Sequence, residues 1–540
     1  MMKLPGIDQA QLRQISEQTR ALLSGGKLDE AHAILMSALL GLAQLNRDLH
    51  MKILKMQKEQ VGKRSERINP AQLCLLFEEM CRQAVPALKP DAKVEDEEDA
   101  ELDREIEAAK REAPEEQPKK GRRARRGVVG RDVRHEVHNV PVAESDKVCA
   151  NCGEDKVCIG VDVRRETEHV PEHFVDHEHL CEKWACPKCK DGVVTAPAPA
   201  KVIERSDAGA SLLAQVVVSK FADHNPLHRQ HRIYLRGGVD ISVSTLSDWV
   251  QQVADILEPL VKAIGEKMLA GYVIRLDGTG VKVLDPMSPE NIERGTMTCY
   301  VGDDKWVWFH YTPTGKGAEG PWKILKGRQG YVQADAASVF DRLFTGEAAC
   351  CCEVGCNCHG RRRFVKLQET DVRVAYPLRL FRRLYRIERL AKLRGLSPEE
   401  KAALRQSRSQ PILDKLKEWL EAVARTEPPA MALAKAVNYM LNHWVALTRF
   451  VSDGRLDLDN NLCEQQLRAI ALGRRNYLFF GSHEAARRGA AIYSLLRTCA
   501  LHDVQPVAYL TDVLQKIAEG WPQSRIAELL PDRWCAAQPA

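Results

Sequence analysis

The first part of the chain repeats apolar residues with the period of an α-helix. In the stretch "LDEAHAILMSALLGLAQLNRDLHMKILKMQ", leucine, isoleucine and methionine recur every three or four positions, which predicts amphipathic helices over residues 1–88. Two structures fit this pattern, namely an ordinary helical hairpin and a short coiled coil through which copies of the chain associate.

The segment 89–135 breaks the pattern because bulky apolar residues almost disappear. "VEDEEDAELDREIEAAKREAPEEQPKKGRRARR" is acidic at its beginning and basic at its end, which predicts a charged, partly helical linker. Its basic end either adds non-specific affinity for DNA or is a solvated tail.

Two further patterns follow before residue 266. Residues 136–200 alternate like strands between two pairs of cysteines, which predicts a small β module. Residues 201–265 are expected to be helical. Residues 209–257 predict three helices, and the break "GGVDIS" precedes the third, with Ser242 or Ser244 as its N-terminal cap. This arrangement is typical of a helix-turn-helix that contacts DNA, and equally of a plain helical bundle.

At Gly271 the period changes to that of strands. Four short runs are expected, "GYVIRL", "VKVL", "TMTCYVG" and "KWVWFHYT", followed by a helix at "GPWKILKG" and a strand at "GYVQA". Residues from about 371 to 442 are helical again and rich in arginine and leucine, and residues 486–540 also predict helices. We therefore expect a core over 266–485 that contains a helical insertion of about 371–442.

Composition narrows the class of protein. With 540 residues, 44% apolar and 28% charged, the chain is long enough for several globular domains. The net charge of +5 is modest, but the basic residues gather in blocks that suit a phosphate backbone. No apolar run approaches the roughly 18 residues that cross a bilayer, and no signal peptide is visible. We expect a cytoplasmic protein with no membrane contact, which associates with the nucleoid when it binds DNA.

The 17 cysteines of such a protein are better candidates for thiols or metal ligands than for disulfides. Two C-x-x-C pairs, "CANC" and "CPKC", flank a segment that is long enough for a pair of strands. The four proposed zinc ligands are Cys149, Cys152, Cys186 and Cys189. Since all four are cysteines, the site is closed, which favours a structural Zn²⁺ in a zinc-ribbon-like module. Cys158 and Cys181 lie near enough to replace one ligand, and two unrelated cysteine pairs are the alternative.

Three carboxylates are candidates for a second, catalytic metal site. Asp277 follows the first strand run, Asp335 follows "YVQA", and Glu464 begins a helix. Two acids on strands and one on a helix match the order in an RNase H-like fold, where the carboxylates hold two divalent metals about 3.5–4 Å apart. Oxygen ligands favour Mg²⁺ or Mn²⁺.

Each acid also has a purely structural explanation. Asp277 before "GTG" can open a turn, and Asp335 before "AAS" can cap a helix. Asn461 and Glu464 fit a capping box, and Arg468 stands one helical turn after Glu464. The residues around the acids therefore decide between the two interpretations.

Those surrounding residues resemble the transposases of the insertion sequence 66 family, which belong to the DDE superfamily. The motifs that carry the resemblance cover nearly the whole chain. They are "VGKRSER" at 61–67, the two cysteine pairs, "SLLAQVVVSKFADHNPLHRQ" at 211–230, "RLDGTGVKVLDP" at 275–286, "YVQAD" at 331–335, "CHGRRRF" at 358–364, "DNNLCEQQLRAIALGRRNYLFFGS" at 459–482 and "AAIYSLLRTC" at 490–499.

The resemblance implies an enzyme that cuts DNA at the ends of its own mobile element to leave a 3′-hydroxyl, which then attacks target DNA. Carried over by motif, Asp277, Asp335 and Glu464 are the metal-binding triad. The resemblance also implies a homo-oligomer and companion proteins from the same element. Candidate contacts to DNA phosphates are His359, Arg361, Arg362, Arg468, Arg474 and Arg475.

The sequence departs from the family pattern at two places. Gly278 stands where the family usually has a glutamate, and "ACCCEVGCNC" at 349–358 holds five cysteines where fewer are usual. These cysteines either bind a metal or remain reduced thiols. Two rival functions also fit parts of the chain, namely a DNA-binding protein derived from a transposase without catalysis, and an RNase H-like nuclease.

Overall fold

The computed structural model describes residues 92–112, 174–184, 194–288, 290–313, 319–335, 337–345 and 349–537. The predicted helices of residues 1–88 and all four proposed zinc ligands lie outside these ranges. The described residues form a mixed α+β protein that is mostly helical and contains one five-stranded sheet.

Seventeen α-helices occur in the described part of the chain. They are α1 (Ala92–Glu112), α2 (Ala210–Phe221), α3 (Leu227–Arg236), α4 (Val243–Ile256), α5 (Glu258–Leu269), α6 (Glu319–Leu325), α7 (Asp341–Phe344), α8 (Asn357–Val365), α9 (Ala375–Leu393), α10 (Pro398–Leu404), α11 (Gln410–Thr426), α12 (Ala432–Asn442), α13 (Trp444–Thr448), α14 (Asn461–Tyr477), α15 (His483–Leu501), α16 (Pro506–Ala518) and α17 (Pro531–Ala537).

The strands form two sheets. They are β1 (Lys183–Trp184), β2 (Val194–Thr195), β3 (Val273–Leu284), β4 (Ile292–Gly302), β5 (Trp306–Thr312), β6 (Tyr331–Ala334) and β7 (Cys352–Gly355). β1 and β2 form an antiparallel pair by themselves. The large sheet has the order β5-β4-β3-β6-β7, in which β5, β4 and β3 are antiparallel and β6 and β7 run parallel to β3.

Two sequence predictions about this sheet were wrong. "VIRL" and "VKVL" are not separate strands, because β3 continues through "DGTG" and pairs with β4 from Ile274 to Leu284. Glycine weakens an isolated strand, but an unbroken ladder of backbone hydrogen bonds with β4 compensates for that here. Asp277 therefore lies inside a strand rather than at its end. β7 was not predicted, since its four residues fall within the cysteine-rich block.

The chain divides into two compact units. The larger one contains the large sheet, helices α2 to α5 and the chain from residue 455 onwards. Its helices and strands share one hydrophobic core, to which Leu213 of α2, Ile264 of α5, Val307 of β5 and Tyr493 of α15 contribute. The predicted cap of α4 is confirmed, because Ser242 accepts a hydrogen bond from the Thr245 backbone N–H at 3.1 Å.

The smaller unit is helical and includes residues 92–106, 357–392 and 396–454 of the described chain. Arg405 is fully buried in it, where its guanidinium donates to both carboxylate oxygens of Glu388 at 2.7 Å. The same side chain donates to the carbonyl oxygens of Phe450 and Asp453. None of the described helices of either unit has the length and apolar character that crossing a membrane requires.

Candidate active site

Asp277 and Asp335 belong to two adjacent parallel strands. β3 pairs with β6 in a register that places Arg275 beside Gln333, and their side chains hydrogen-bond on one face of the sheet. Continuing this register by two residues brings Asp277 level with Asp335, which follows directly after β6. Side chains two residues apart on a strand share a face, and neighbouring strands lie about 4.8 Å apart. The two carboxylates are therefore neighbours.

Both carboxylates line one open cleft of about 270 Å³. Its walls come from β3, from Thr296 and Thr298 of β4, and from the segment that follows β6. Gly278 lies in the wall, and a Cβ added there would meet Thr296 at an ordinary 3.5 Å. Packing therefore does not require glycine at this position, and the glutamate of the family pattern would narrow the cleft.

Glu464 approaches the same strands from the first turn of α14, which packs against β3 and β4. Asn460, just before the helix, donates from its side-chain amide to the carbonyl oxygen of Leu276 at 2.9 Å. Cys463 lies 3.5 Å from the carbonyl oxygen of Cys299, the residue that pairs with Asp277 across β3 and β4. The start of α14 is thereby fixed beside Asp277. Glu464 itself is half-buried and is not among the described residues that line the cleft.

The predicted capping box at the start of α14 was wrong. Asn461 is the first residue of the helix, and Asn460 occupies the cap position without a side-chain cap bond. The Asn460 amide instead holds the strand that carries Asp277, and the Asn461 side chain donates to Asp459. In "DNNLCE", Asn460 therefore joins α14 to β3, and Asp459 accepts a hydrogen bond from the backbone N–H of Asn461 at the helix N-terminus.

A buried arginine connects the three elements that carry the acids. Arg275 is 2% exposed and donates to Gln333 Oε1 at 2.6 Å, to Asp457 Oδ2 at 2.7 Å and to Asp304 Oδ1 at 2.7 Å. Gln333 in turn donates to the carbonyl oxygen of Asp457 at 2.7 Å. Arg275 and Gln333 each stand two residues before a proposed catalytic aspartate, and Asp457 belongs to the segment that leads into α14.

The charge of Arg275 is stabilised by its partners. Burial on its own lowers the pKa of a guanidinium, but the carboxylates of Asp457 and Asp304 outweigh it and raise the pKa of Arg275. Sequence reasoning missed this residue and Gln333. The available signal was a charged side chain inside the otherwise apolar run "YVIRL", since a buried charge in a strand requires paired acids.

One buried oxygen atom, Oδ1 of Asp335, is suited to bind a divalent metal. Asp335 Oδ1 is buried and has no hydrogen-bond partner among the described residues. A buried acceptor without a partner costs free energy unless something else satisfies it. A divalent cation does so, and the neighbouring donor set consists of carboxylate oxygens, which hard cations prefer.

The six candidate DNA contacts fall into two groups. Arg474 lies half-buried on α14 and donates to the carbonyl oxygen of Gly280, a residue of the cleft wall, while Arg468 and Arg475 are exposed on the same helix. The other three residues lie on α8 of the helical unit. They are the half-buried His359 and the exposed Arg361 and Arg362.

The cysteine-rich block is divided between a strand and the residues around it. Cys350 and Cys351 precede β7, and their Sγ atoms lie 3.6 Å apart. Burial and the neighbouring Cys350 thiol raise the pKa of Cys351 to about 12. Without a bound metal, the Cys351 side chain is therefore a protonated thiol at neutral pH.

Lys220 in the last turn of α2 has an unusual environment. Its Nζ lies 5.3 Å from the centre of the Tyr477 ring and 5.6 Å from that of Phe221. Burial lowers the pKa of Lys220 to about 8. Burial therefore disfavours the charged form of this side chain.

Lys220→Met is expected to stabilise the folded protein at pH 7 by about 1–3 kcal/mol, since the charged form is disfavoured by burial. The pKa is lower in the folded protein than in the unfolded chain, so the cost is largest below pH 8 and disappears as the pH rises from about 8 towards 10.5. Urea unfolding at pH 7 and pH 9.5 measures both values. The exposed Lys267→Met is the control, and an equal gain at both pH values would contradict the prediction.

Three family models match this chain. Residues 205–488, just over half of the chain, match the model described as "Transposase IS66 family". The chain belongs to the IS66 transposase family. Residues 146–190 match the family's "zinc-finger binding domain of transposase IS66", and residues 494–531 match the "IS66 C-terminal element". The zinc-finger match includes all four proposed zinc ligands and supports zinc binding by this transposase.

Three relatives of this IS66 transposase come from Sinorhizobium fredii strain NBRC 101917 / NGR234. "Uncharacterized protein y4hP" is 32% identical over 74% of this chain and 75% of its own length. "Uncharacterized protein y4qI" is 32% identical over 89% of this chain and 87% of its own length. "Uncharacterized protein y4jD" is 29% identical over 74% of this chain and 81% of its own length. The similarity therefore extends well beyond the sheet that carries the two aspartates.

Proposed function

We propose that this chain is a DDE transposase that cleaves the ends of its insertion sequence and joins them to target DNA through an RNase H-like core. One observation carries the proposal. The register between β3 and β6 puts Asp277 beside Asp335 in one cleft, with α14 and Glu464 fixed against the same strands. Two carboxylates in one cleft, with a third on the adjacent helix, are a donor set that can hold two divalent metals for phosphoryl transfer.

Asp277, Asp335 and Glu464 would hold the divalent ions, which we propose to be Mg²⁺ or Mn²⁺. When bound, the ions activate the attacking oxygen and stabilise the leaving oxygen at one phosphorus. The chain supplies the rest. Arg275 holds the three acid-bearing elements in register, and Arg474 at the cleft wall neutralises charge on a phosphate.

The DNA is proposed to extend from the cleft over the basic face of α14. Arg468, Arg474 and Arg475 are the expected phosphate contacts in the larger unit, and His359, Arg361 and Arg362 are the expected ones in the helical unit. Phosphate contacts fix the position of DNA without reading its sequence. We further propose that the enzyme acts as a homo-oligomer with companion proteins of the same element, in the cytoplasm and on the nucleoid.

A single assay distinguishes the proposed transposase from the two rival functions. Purified protein, Mg²⁺ and a labelled DNA fragment that carries one element end should give a nick at the end and, with target DNA, a joined product. A DNA-binding protein without catalysis would shift the fragment but not cut it. An RNase H-like nuclease would cut without joining and without preference for the element end.

The zinc module gives an independent prediction. Cys149→Ser is expected to remove stoichiometric zinc from the purified protein, because structural zinc requires all four thiolates. Metal analysis after dialysis measures this directly, and Cys158→Ser serves as the control that keeps its zinc. Retained zinc in the Cys149 variant would mean that other residues are the ligands.

A further inference from the structure

The turn after α14 exposes two apolar side chains between two anchored ones. The sequence predicts that "YLFF" anchors this helix to the sheet, but only Phe480 bonds to the sheet, and Tyr477 bonds to α15. Tyr477 bonds to the Tyr493 hydroxyl at 2.6 Å, and Phe480 is 7% exposed and exchanges backbone hydrogen bonds with β3 at 2.9 Å. Leu478 is 62% exposed and Phe479 is 40% exposed.

Leu478 also has a strained backbone. Its φ is 61° and its ψ is −42°, outside the regions that leucine ordinarily adopts. The other non-glycine residues with positive φ in the described part of the chain are histidine, asparagine or aspartate, which tolerate such values far better. Glycine would relieve the strain, so the leucine side chain is kept at a cost. Strain of this kind persists where a side chain has a task.

The surroundings of this apolar tip are cationic. Lys220 lies over the Tyr477 ring, and Arg229 of α3 bonds to Asn476 at 3.3 Å. Lys282 and Arg475 are exposed, and Arg474 contacts the cleft wall at Gly280. Glu484, the nearest acid along the chain, pairs with Arg487 at 2.6 Å, and Asp285 and Glu293 pair with His483 at 3.8 and 2.9 Å. Duplex DNA is a polyanion whose stacked bases have apolar faces. A surface with an apolar centre and a basic rim is therefore suited to bind it.

The tip is continuous with the candidate active site along β3. Phe480 bonds to the backbone of Lys282, five residues after Asp277 on the same strand. At about 3.3 Å per residue this corresponds to roughly 17 Å, or about five base pairs of DNA. A duplex whose scissile phosphate lies at Asp277 would therefore reach the tip.

We propose that Leu478 and Phe479 form an apolar wedge that unstacks a base step of the bound DNA about five base pairs from the scissile phosphate. The proposal rests on the proposed function for the position of the DNA. Tyr477 and Phe480, which are anchored on either side, hold the wedge in place. The basic side chains around it contact the DNA phosphates. Such a wedge distorts the duplex near the cut and adds stacking contact that does not depend on base sequence.

The test uses the full-length protein with Ca²⁺ in place of Mg²⁺ and an element-end duplex that carries 2-aminopurine at one position, three to seven base pairs from the cut. Unstacking raises the fluorescence of 2-aminopurine. The wild type is expected to raise it most near the fifth position. Leu478→Gly combined with Phe479→Ser should lose this rise and bind about tenfold more weakly.

Three variants separate a wedge from a structural role. Leu478→Gly alone should keep or raise the melting temperature while lowering the fluorescence signal, since glycine relieves the strain. Phe479→Trp should retain the signal, because indole also stacks. Val445→Ser removes an apolar side chain of 69% exposure from α13 of the helical unit and should change nothing.

Two outcomes would overturn the wedge. One is a double variant with wild-type fluorescence and affinity at every position. The other is a variant that changes only the oligomeric state, which would make the tip a contact between copies of the chain. Cleavage in Mg²⁺ is scored separately. A wedge-dependent signal without cleavage would refute only the proposed catalysis, and cleavage without the signal would refute only the wedge.

Discussion

Asp277→Asn, Asp335→Asn and Glu464→Gln are each expected to reduce Mg²⁺-dependent cleavage of element-end DNA by at least about 10³-fold. Each change removes one charged metal ligand, and the transition-state stabilisation that metals supply is several kcal/mol. Folding should survive, because the amide has nearly the same shape and Asp335 Oδ1 has no hydrogen-bond partner among the described residues. Gel analysis of cleavage, together with thermal unfolding and a DNA-binding assay, measures all three properties.

A matched control lies close by in the sequence. Asp341 is exposed at the start of α7, six residues after Asp335, and its change to asparagine should leave cleavage within about twofold of wild type. DNA binding by the three acid variants should stay near the wild-type value, since phosphate contacts come from basic side chains. Undiminished cleavage in any one acid variant would exclude that residue from the metal site.

Arg275→Met is expected to have the second largest effect, by lowering both stability and activity. It leaves Gln333 and Asp457 without their buried donor, which should cost about 2–4 kcal/mol of folding free energy. This loss is smaller than the roughly 3–5 kcal/mol of a broken, fully buried ion pair, because Asp304 and Asp457 are partly exposed. Urea unfolding measures this loss.

The position of the acids should change in the same variant. We expect the folded fraction of Arg275→Met to need a several-fold higher Mg²⁺ concentration for half-maximal cleavage, since β3, β6 and the start of α14 lose their common partner. Arg275→Lys keeps the charge but not the fork of donors, so it should be intermediate. Arg294→Met, on the exposed side of β4, is the control. An unchanged Mg²⁺ dependence would limit Arg275 to a purely structural role.

The sequence predicted the individual helices and strands better than the pairing between them. Asp335 after β6 and Glu464 in the first turn of α14 stand where the apolar patterns placed them. Asp277 does not, because "DGTG" looks like a turn in isolation and only the pairing with β4 keeps it extended. Strand pairing is a long-range property, and a local pattern does not contain it.

The interior of the site was less predictable for the same reason. Arg275 binds side chains that lie 29, 58 and 182 positions away in the sequence, so its role depends on the folded topology. Asn460 is similar, since the capping pattern pointed to Asn461, whereas Asn460 stands at the cap position and bonds to Leu276 on β3. The exposure of Leu478 was also hidden, because an apolar run next to a helix ordinarily indicates burial.

The central claim is that Asp277, Asp335 and Glu464 hold one divalent metal site, and iron-mediated cleavage of the polypeptide tests it most directly. Fe²⁺ replaces Mg²⁺ at carboxylate sites and, with ascorbate and peroxide, breaks the backbone close to where it is bound. We predict three cuts, near residues 277, 335 and 464, that excess Mg²⁺ suppresses together and that Asp277→Asn abolishes together. Cuts near only one of these residues, or cuts that Mg²⁺ suppresses independently, would contradict the claim.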